Sequence, residues 1–253
     1  MELQFTSLGS GSKGNCTVVQ CGGTTVLVDC GFSRARTIER LQQRGIDPGD
    51  VDAIFVTHEH SDHISGVRLF ANYFNLPVFA TSGTLSAIHK LAEPLIEEIK
   101  AGDCIDIGSL RVHSVLVPHD AREPTQFVFD NRQCRLGILT DIGVITDLVI
   151  DQYSRCNALF VESNHDIDML WSGNDPQYLK SRVSGDLGHL SNDQTKNFIG
   201  EVLHDRLNTI AIGHISQRNN RMDLLYREYA ELKHSRTIEF ATQEEGTSWQ
   251  SAT

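Results

Sequence analysis

The chain has 253 residues, 40% of them hydrophobic and 22% charged, which suits a folded core and excludes a disordered or fibrous chain. Its formal charge of −11 argues against broad nonspecific binding of nucleic acid, while leaving room for a local basic path or a metal-centred grip on a phosphate. No stretch reaches the roughly 20 apolar residues of a membrane helix, no secretory signal follows Met1, and six cysteines without a CxxC pair suit reduced thiols in the cytoplasm.

Leu3 to Leu8 reads as a strand, and Gly9-Ser-Gly-Ser-Lys-Gly-Asn15 as a flexible loop. Cys16–Cys21 and Thr24–Val28 pair as a hairpin around Gly22-Gly23. Ser33 to Arg44 has helical spacing, with Ser33 as N-cap and Gly45 as the stop. Residues 51–57 form a short apolar strand, 66–74 a helix and 76–80 a strand. Ser82 to Lys100 reads as helical, interrupted near Pro94. Residues 110–117, 126–130 and 134–140 read as strands, 147–153 as a helix and 158–162 as a strand. A helix over 192–203, a strand over 209–212, a helix over 222–232 and a strand over 237–241 complete the chain. Strands and helices alternate in two successive halves with no linker between them, so layered α/β packing is expected. Periodicity alone does not choose among the α/β folds.

Thr57-His-Glu-His-Ser-Asp-His63 carries the chemistry. Side chains two apart in an extended segment point the same way, so His58 and His60 can grip one ion. Asp62 and His63 fall at a helix start, where they can face a second. Imidazole and carboxylate suit borderline divalent ions. Incidental surface polarity is a poor account of three histidines and an aspartate closing an apolar strand.

This HxHxDH pattern resembles the metallo-β-lactamase superfamily. The resemblance implies a four-layer αββα sandwich, as one domain over residues 1–253, with its metal site along one edge. It also implies further ligands, and three segments match in order: Pro118-His119, Asp141 in Leu136-Gly-Ile-Leu-Thr-Asp-Ile-Gly143, and His214 in Gly213-His-Ile-Ser216. By this resemblance His58, His60, His119 and Asp141 hold one ion, and Asp62, His63, Asp141 and His214 the other. Zinc is favoured, with manganese or iron as alternatives. Asp29, in Val26-Leu-Val-Asp-Cys-Gly31, matches the first motif and supports the ligand loop. The two ions share and acidify a nucleophilic water, and Asp62 orients it or takes its proton.

Glu162 and His189 resemble the paired Glu and His of the tRNA 3′-processing (RNase Z) branch, where the histidine serves as proton donor to the leaving group. A capping pair without chemistry is the alternative. Leu8-Gly-Ser-Gly-Ser-Lys-Gly-Asn15, Glu162-Ser-Asn-His-Asp166, Leu179-Lys-Ser-Arg182 and Gly188-His-Leu-Ser-Asn192 together resemble the YycJ (WalJ) family over nearly the whole chain. That resemblance implies a 5′-to-3′ double-stranded DNA exonuclease. Lys13, Lys180 and Arg182 are candidate phosphate contacts, against the plainer reading of solvated charges. Ser12 and Asn15 bond near the site or shape its loop, and His165 makes a local structural or substrate contact. Arg36, Arg40 and Arg44 share one helix face, read as ordinary and exposed. The alternative function is a small-molecule hydrolase of the same fold, cleaving cyclic or nucleotide phosphodiesters or thioesters. A redox diiron protein is disfavoured because His60 is retained.

Overall fold

A two-residue turn folds the first apolar segments back on themselves, and the rest of the chain builds outward from that hairpin. The structure, a computed structural model, describes residues 1–252. The first half runs β1 (Leu3–Gly9), β2 (Cys16–Cys21), β3 (Thr24–Val28), α1 (Arg34–Gln43), β4 (Ala53–Phe55), α2 (Ser61–Ile64), α3 (Val67–Phe74), β5 (Val78–Ala80), α4 (Ser82–Leu85) and β6 (Ile96–Glu98). The second runs β7 (Cys104–Ile107), β8 (Leu110–Leu116), β9 (Thr125–Asp130), β10 (Arg135–Leu139), α5 (Asp147–Tyr153), β11 (Ala158–Glu162), α6 (Ile167–Ser172), α7 (Gln177–Val183), α8 (Asn192–Val202), β12 (Thr209–Gly213), α9 (Met222–Glu228), β13 (Thr237–Phe240) and β14 (Gln250–Ser251). Cys21 pairs with Thr24, and Gly22 takes φ +59°, a conformation that a side chain would strain.

Among the described residues the strands form two seven-stranded sheets, ordered β14-β1-β2-β3-β4-β5-β6 and β13-β12-β11-β10-β9-β8-β7. In each, antiparallel hairpins lead into parallel strands: β3 to β6 in one, β10 to β13 in the other. Parallel strands end on the same side, so their carboxyl ends make one edge where loops can converge.

Phe5, Phe55, Phe127, Phe129 and Phe160 fill the space between the sheets. Phe55 stacks on Phe79 at 4.7 Å and meets Phe127 edge-on at 5.4 Å. Each such side chain contributes roughly 1.5–3 kcal/mol by burial, and the ring pairs add to that. Leu41, Val67 and Phe70 cover the outer face of the first sheet. Val149, Tyr153, Phe198 and Leu225 cover that of the second. The result is the expected αββα sandwich.

Local signals match the expected ends of several helices. Ser33 caps α1 by accepting from the Arg36 amide at 3.4 Å. Ser191 and Gln194 form a reciprocal capping box on α8.

Residues 82–100 are not a long helix. Only Ser82–Leu85 is helical. Pro94 sits in a 3-10 turn, and Ile96–Glu98 joins β5 as a parallel edge strand. Proline fixes the backbone and removes a donor, and the sheet edge takes the segment that follows. Arg40 is not on an exposed face. It is buried, stacks 4.2 Å above Phe32 and donates to the carbonyls of Leu8 and Gln243. Arg36 and Arg44 share that face and reach Glu244 and the Glu245 carbonyl. No helix among the described residues is long and apolar enough to cross a membrane, and all six cysteines are unpaired.

Candidate metal centre

The carboxyl ends of both sets of parallel strands meet along one edge. Asp29 follows β3, His58 follows β4, Asp141 follows β10, Glu162 ends β11 and His214 follows β12. Three of these bend sharply there: Asp29, Asp141 and His214 have φ of 61°, 57° and 48°. Left-handed backbone costs a non-glycine residue about 1 kcal/mol or more. Here it turns each side chain across the strand ends.

The side chains gather into adjoining donor sets. His58 Nε2 lies 3.0 Å from His60 Nδ1, and His119 Nε2 lies 3.4 Å from the same atom. Four-coordinate zinc with Zn–N bonds of about 2.0–2.1 Å places its nitrogens about 3.3 Å apart, so this spacing fits one ion. Beside it, His63 Nε2 lies 3.5 Å from Asp62 Oδ2, and His214 Nε2 lies 3.8 Å from that oxygen. Asp141 stands between the sets, its Oδ2 3.2 Å from His63 Nε2 and its Oδ1 3.4 Å from His214 Nδ1. His58, His63 and Asp141 bring donor atoms within 4.8 Å of one another, as do Asp62, His63 and His214. Asp141 Oδ2 and His214 Nε2 are buried without a hydrogen-bond partner. Such orphaned atoms are costly unless a cation takes them. The resemblance carried by HxHxDH implies divalent metal, and this donor set fits it.

Supporting contacts fix which nitrogen each imidazole presents. Asp29 accepts from the Thr57 amide and hydroxyl at 2.8 and 2.9 Å, and from His63 Nδ1 at 2.7 Å. His63 Nε2 is thereby turned into the site. The Gly188 carbonyl lies 3.1 Å from His119 Nδ1 and does the same there. Asn15 donates to Asp62 Oδ2 at 3.2 Å and accepts from the Gly11 amide at 2.8 Å, so it ties the first loop to the ligand loop. Gly31 lets these loops touch: a Cβ there would lie 1.8 Å from the Asp62 carbonyl.

Electrostatics express the same demand for positive charge. Burial opposes protonation of His63, yet the Asp141 and Asp29 carboxylates outweigh it and raise its pKa well above the ordinary value. Burial likewise opposes the charge on His214, and Asp141, Asp62 and Glu162 raise it to about 10. Burial favours a neutral Asp141, but His214 and His63 hold it well below the carboxylate range. His58 and His119 go the other way, lowered first by burial.

Glu162 and His189 do meet. His189 Nδ1 lies 3.0 Å from Glu162 Oε2, and Glu162 Oε1 accepts from the amides of Ile142 and Leu190 at 2.8 and 3.3 Å. Burial raises the Glu162 pKa, but the His189 charge and the bonds from His189 and His214 outweigh it and hold it down to about 2. His189 is partly exposed beside Asp141, in a cavity of about 260 Å³ also lined by Ser12, Asp62 and Arg182.

The remaining candidates divide. Arg182 Nε bonds Asp120 at 2.6 Å, and Asp120 Oδ1 lies 3.4 Å from His119 Nε2. Lys13 is exposed, with its amide bonded to Gln243 Oε1 and no side-chain contact to the ligands. Lys180 is buried, its ammonium spent on the Trp171 and Gly173 carbonyls at 2.8 and 2.6 Å, so it staples α6 to α7 and cannot grip a phosphate. His165 is buried, and neither ring nitrogen has a partner; burial, the largest cause, lowers it to about 4. Asp120, Asn164, Asp175 and Arg218 were not singled out from the sequence. Asp120 directly follows His119 and Asn164 lies within Glu162–Asp166, but Asp175 and Arg218 carry no motif.

The family model described as the metallo-beta-lactamase superfamily matches residues 9–145. Exodeoxyribonuclease YycJ of Bacillus anthracis is 36% identical over 228 residues, covering 88% of this chain and 86% of that protein. Exodeoxyribonuclease WalJ of Streptococcus pneumoniae is 31% identical over 230 residues, with the same coverage. The crystal structure of YhfI from Bacillus subtilis superposes with a TM-score of 0.75 at 15% identity, over 99% of this chain and 100% of that one. With its ligand-type residues gathered at the strand ends, the chain is a metal-dependent hydrolase that belongs to the metallo-β-lactamase superfamily and, within it, to the YycJ/WalJ family.

Proposed function

We propose that this hydrolase is a dinuclear phosphodiesterase that digests double-stranded DNA from the 5′ end. The observation that carries the reading is Asp141, placed between the His58–His60–His119 set and the Asp62–His63–His214 set. Relatives named exodeoxyribonucleases, matched over most of their length, supply the substrate class. Held by these residues, two divalent ions would supply Lewis-acid stabilisation of a phosphoryl group and a water of lowered pKa. Asp62, fixed by Asn15, is the carboxylate that would orient the nucleophile or accept its proton. Glu162 holds His189 by Nδ1 at the cavity, leaving Nε2 as the atom that would donate a proton to the leaving oxygen. Arg182, braced by Asp120, neutralises phosphate charge at the rim.

One observation favours a small diester as the alternative substrate: the chain's net charge of −11 opposes long-range attraction of DNA. Nucleotide release from linear duplex DNA with zinc or manganese, beside Asp62→Ala and a small diester, separates the two. Release that disappears in Asp62→Ala supports the nuclease. Turnover of the diester alone moves the function to the alternative.

A further inference from the structure

Ser10 stands one residue past β1, in the loop that leads to Asn15, and is buried at 3% exposure. Its hydroxyl accepts from the His214 amide at 2.8 Å and donates to Asn15 Oδ1 at 3.2 Å. Ser10 follows a strand of the first sheet and His214 a strand of the second, so this one oxygen joins the two sheets at the metal centre. Asn15 carries the contact on: its Nδ2 lies 3.2 Å from Asp62 Oδ2 and 3.1 Å from His63 Nε2. Between them, Ser10 and Asn15 touch His214, Asp62 and His63. Among the described residues, neither bonds His58, His60 or His119.

The loop is braced so that these contacts hold. The Ser10 amide donates to the Thr242 carbonyl at 3.2 Å. Gln243 Oε1 accepts from the Lys13 amide, and its Nε2 donates to the Gly14 carbonyl, both at 2.8 Å. The Ser10 hydroxyl and the Gly11 amide both donate to Asn15 Oδ1, so the donor end of that amide is the one facing Asp62. His214 needs such support. Its φ of 48° is a backbone conformation that persists only where the surroundings over-determine it. Ser10 holds its amide, and Asn164 Nδ2 donates to its carbonyl at 2.9 Å.

We propose that Ser10 is a positioning residue for one ion of the pair, the one held by Asp62, His63 and His214; this rests on the dinuclear reading above. It acts on His214 directly and on Asp62 and His63 through Asn15, as a relay between the sheets. A hydroxyl that merely filled the loop would matter to the stability of the whole fold. One that places the donors of a single ion sets that ion's affinity and spares the other's, because supporting bonds fix a ligand's orientation before the ion arrives.

The test titrates metal-free wild type, Ser10→Ala, Asn15→Ala and the double variant with zinc against a chromophoric chelator, beside thermal melts without and with zinc. Thr247→Val is the matched control: the Thr247 hydroxyl is also buried and accepts from the Ser7 amide at 2.8 Å, but bonds no ligand. Wild type is expected to hold two equivalents. Ser10→Ala is expected to weaken one of them by about 10–100-fold and to leave the other within about threefold. Asn15→Ala is expected to weaken the same one, so the double variant keeps one tight equivalent. Ser10→Ala and Thr247→Val should both melt earlier without zinc, but only in Ser10→Ala should the rise in Tm on adding zinc shrink. Weakening of both equivalents alike, of neither in folded Ser10→Ala, or of one as strongly in Thr247→Val, overturns the relay and leaves the dinuclear reading standing. A wild-type chain that holds a single equivalent overturns the dinuclear reading and the relay with it.

Discussion

Replacing Glu162 by Gln keeps shape and packing while removing the charge that holds His189. Glu162 Oε1 accepts from two backbone amides, and a glutamine oxygen can still do so. Its amide nitrogen then faces His189 Nδ1, 3.0 Å away, where the carboxylate had accepted. Donor would meet donor, so the bond that holds the ring is lost and with it the placement of the proposed proton donor. Positioned acids typically contribute 10²–10⁴-fold, so kcat on DNA should fall by about 10²–10³-fold. A diester with a nitrophenolate leaving group needs no proton and should fall by less than about tenfold. Glu162 Oε2 also lies 3.4 Å from His214 Nδ1, so metal content must be measured beside the kinetics. The charge-assisted bond lost is worth about 1.5–3 kcal/mol, which a thermal melt would register. Equal slowing of both substrates at full metal occupancy would refute the proton-donor role.

Asp29→Ala should weaken metal binding by about 10–100-fold, read by competition with a chromophoric chelator, because it releases both Thr57 and His63. Gly31→Ala should cost about 2 kcal/mol or more and lower the denaturant midpoint, since the new Cβ meets the Asp62 carbonyl and forces one loop off another. Lys180→Met should lose about 1–3 kcal/mol in a melt while leaving the salt dependence of DNA binding unchanged, as its ammonium bonds only carbonyls. In metal-free protein, Glu162 is depressed from 4.5 to about 2, so it binds fewer protons folded than unfolded. Its contribution is therefore full above about pH 4.5 and fades as pH falls toward 2; a Glu162→Gln chain should show a shallower acid limb in denaturant titrations.

The candidate ligand residues were legible because each closes an apolar strand or sits in one contiguous motif. His58, His60, Asp62 and His63 lie within six positions, and His119, Asp141 and His214 follow the apolar runs of β8, β10 and β12. Residues 82–100 misled because Leu85, Ile88 and Leu91 have near-helical spacing, yet the helix ends at Leu85 and Ile88 and Leu91 pack from the turns that follow. The exposed acids Glu97 and Glu98 hid β6, a strand defined by its neighbour and not by alternation. The Arg218–Asp175 pair spans 43 positions, and only the fold closes that distance. Lys180 read as a free cation because a sequence does not reveal which carbonyls lie above an ammonium.

The most direct measurement is a metal titration of the metal-free chain, scored by nucleotides released from 5′-phosphorylated linear duplex DNA. Release is expected to rise to a break at two equivalents of zinc or manganese per chain, and to be absent at every metal level in Asp62→Ala. A break at one equivalent, or no release at any level, would contradict the dinuclear exonuclease.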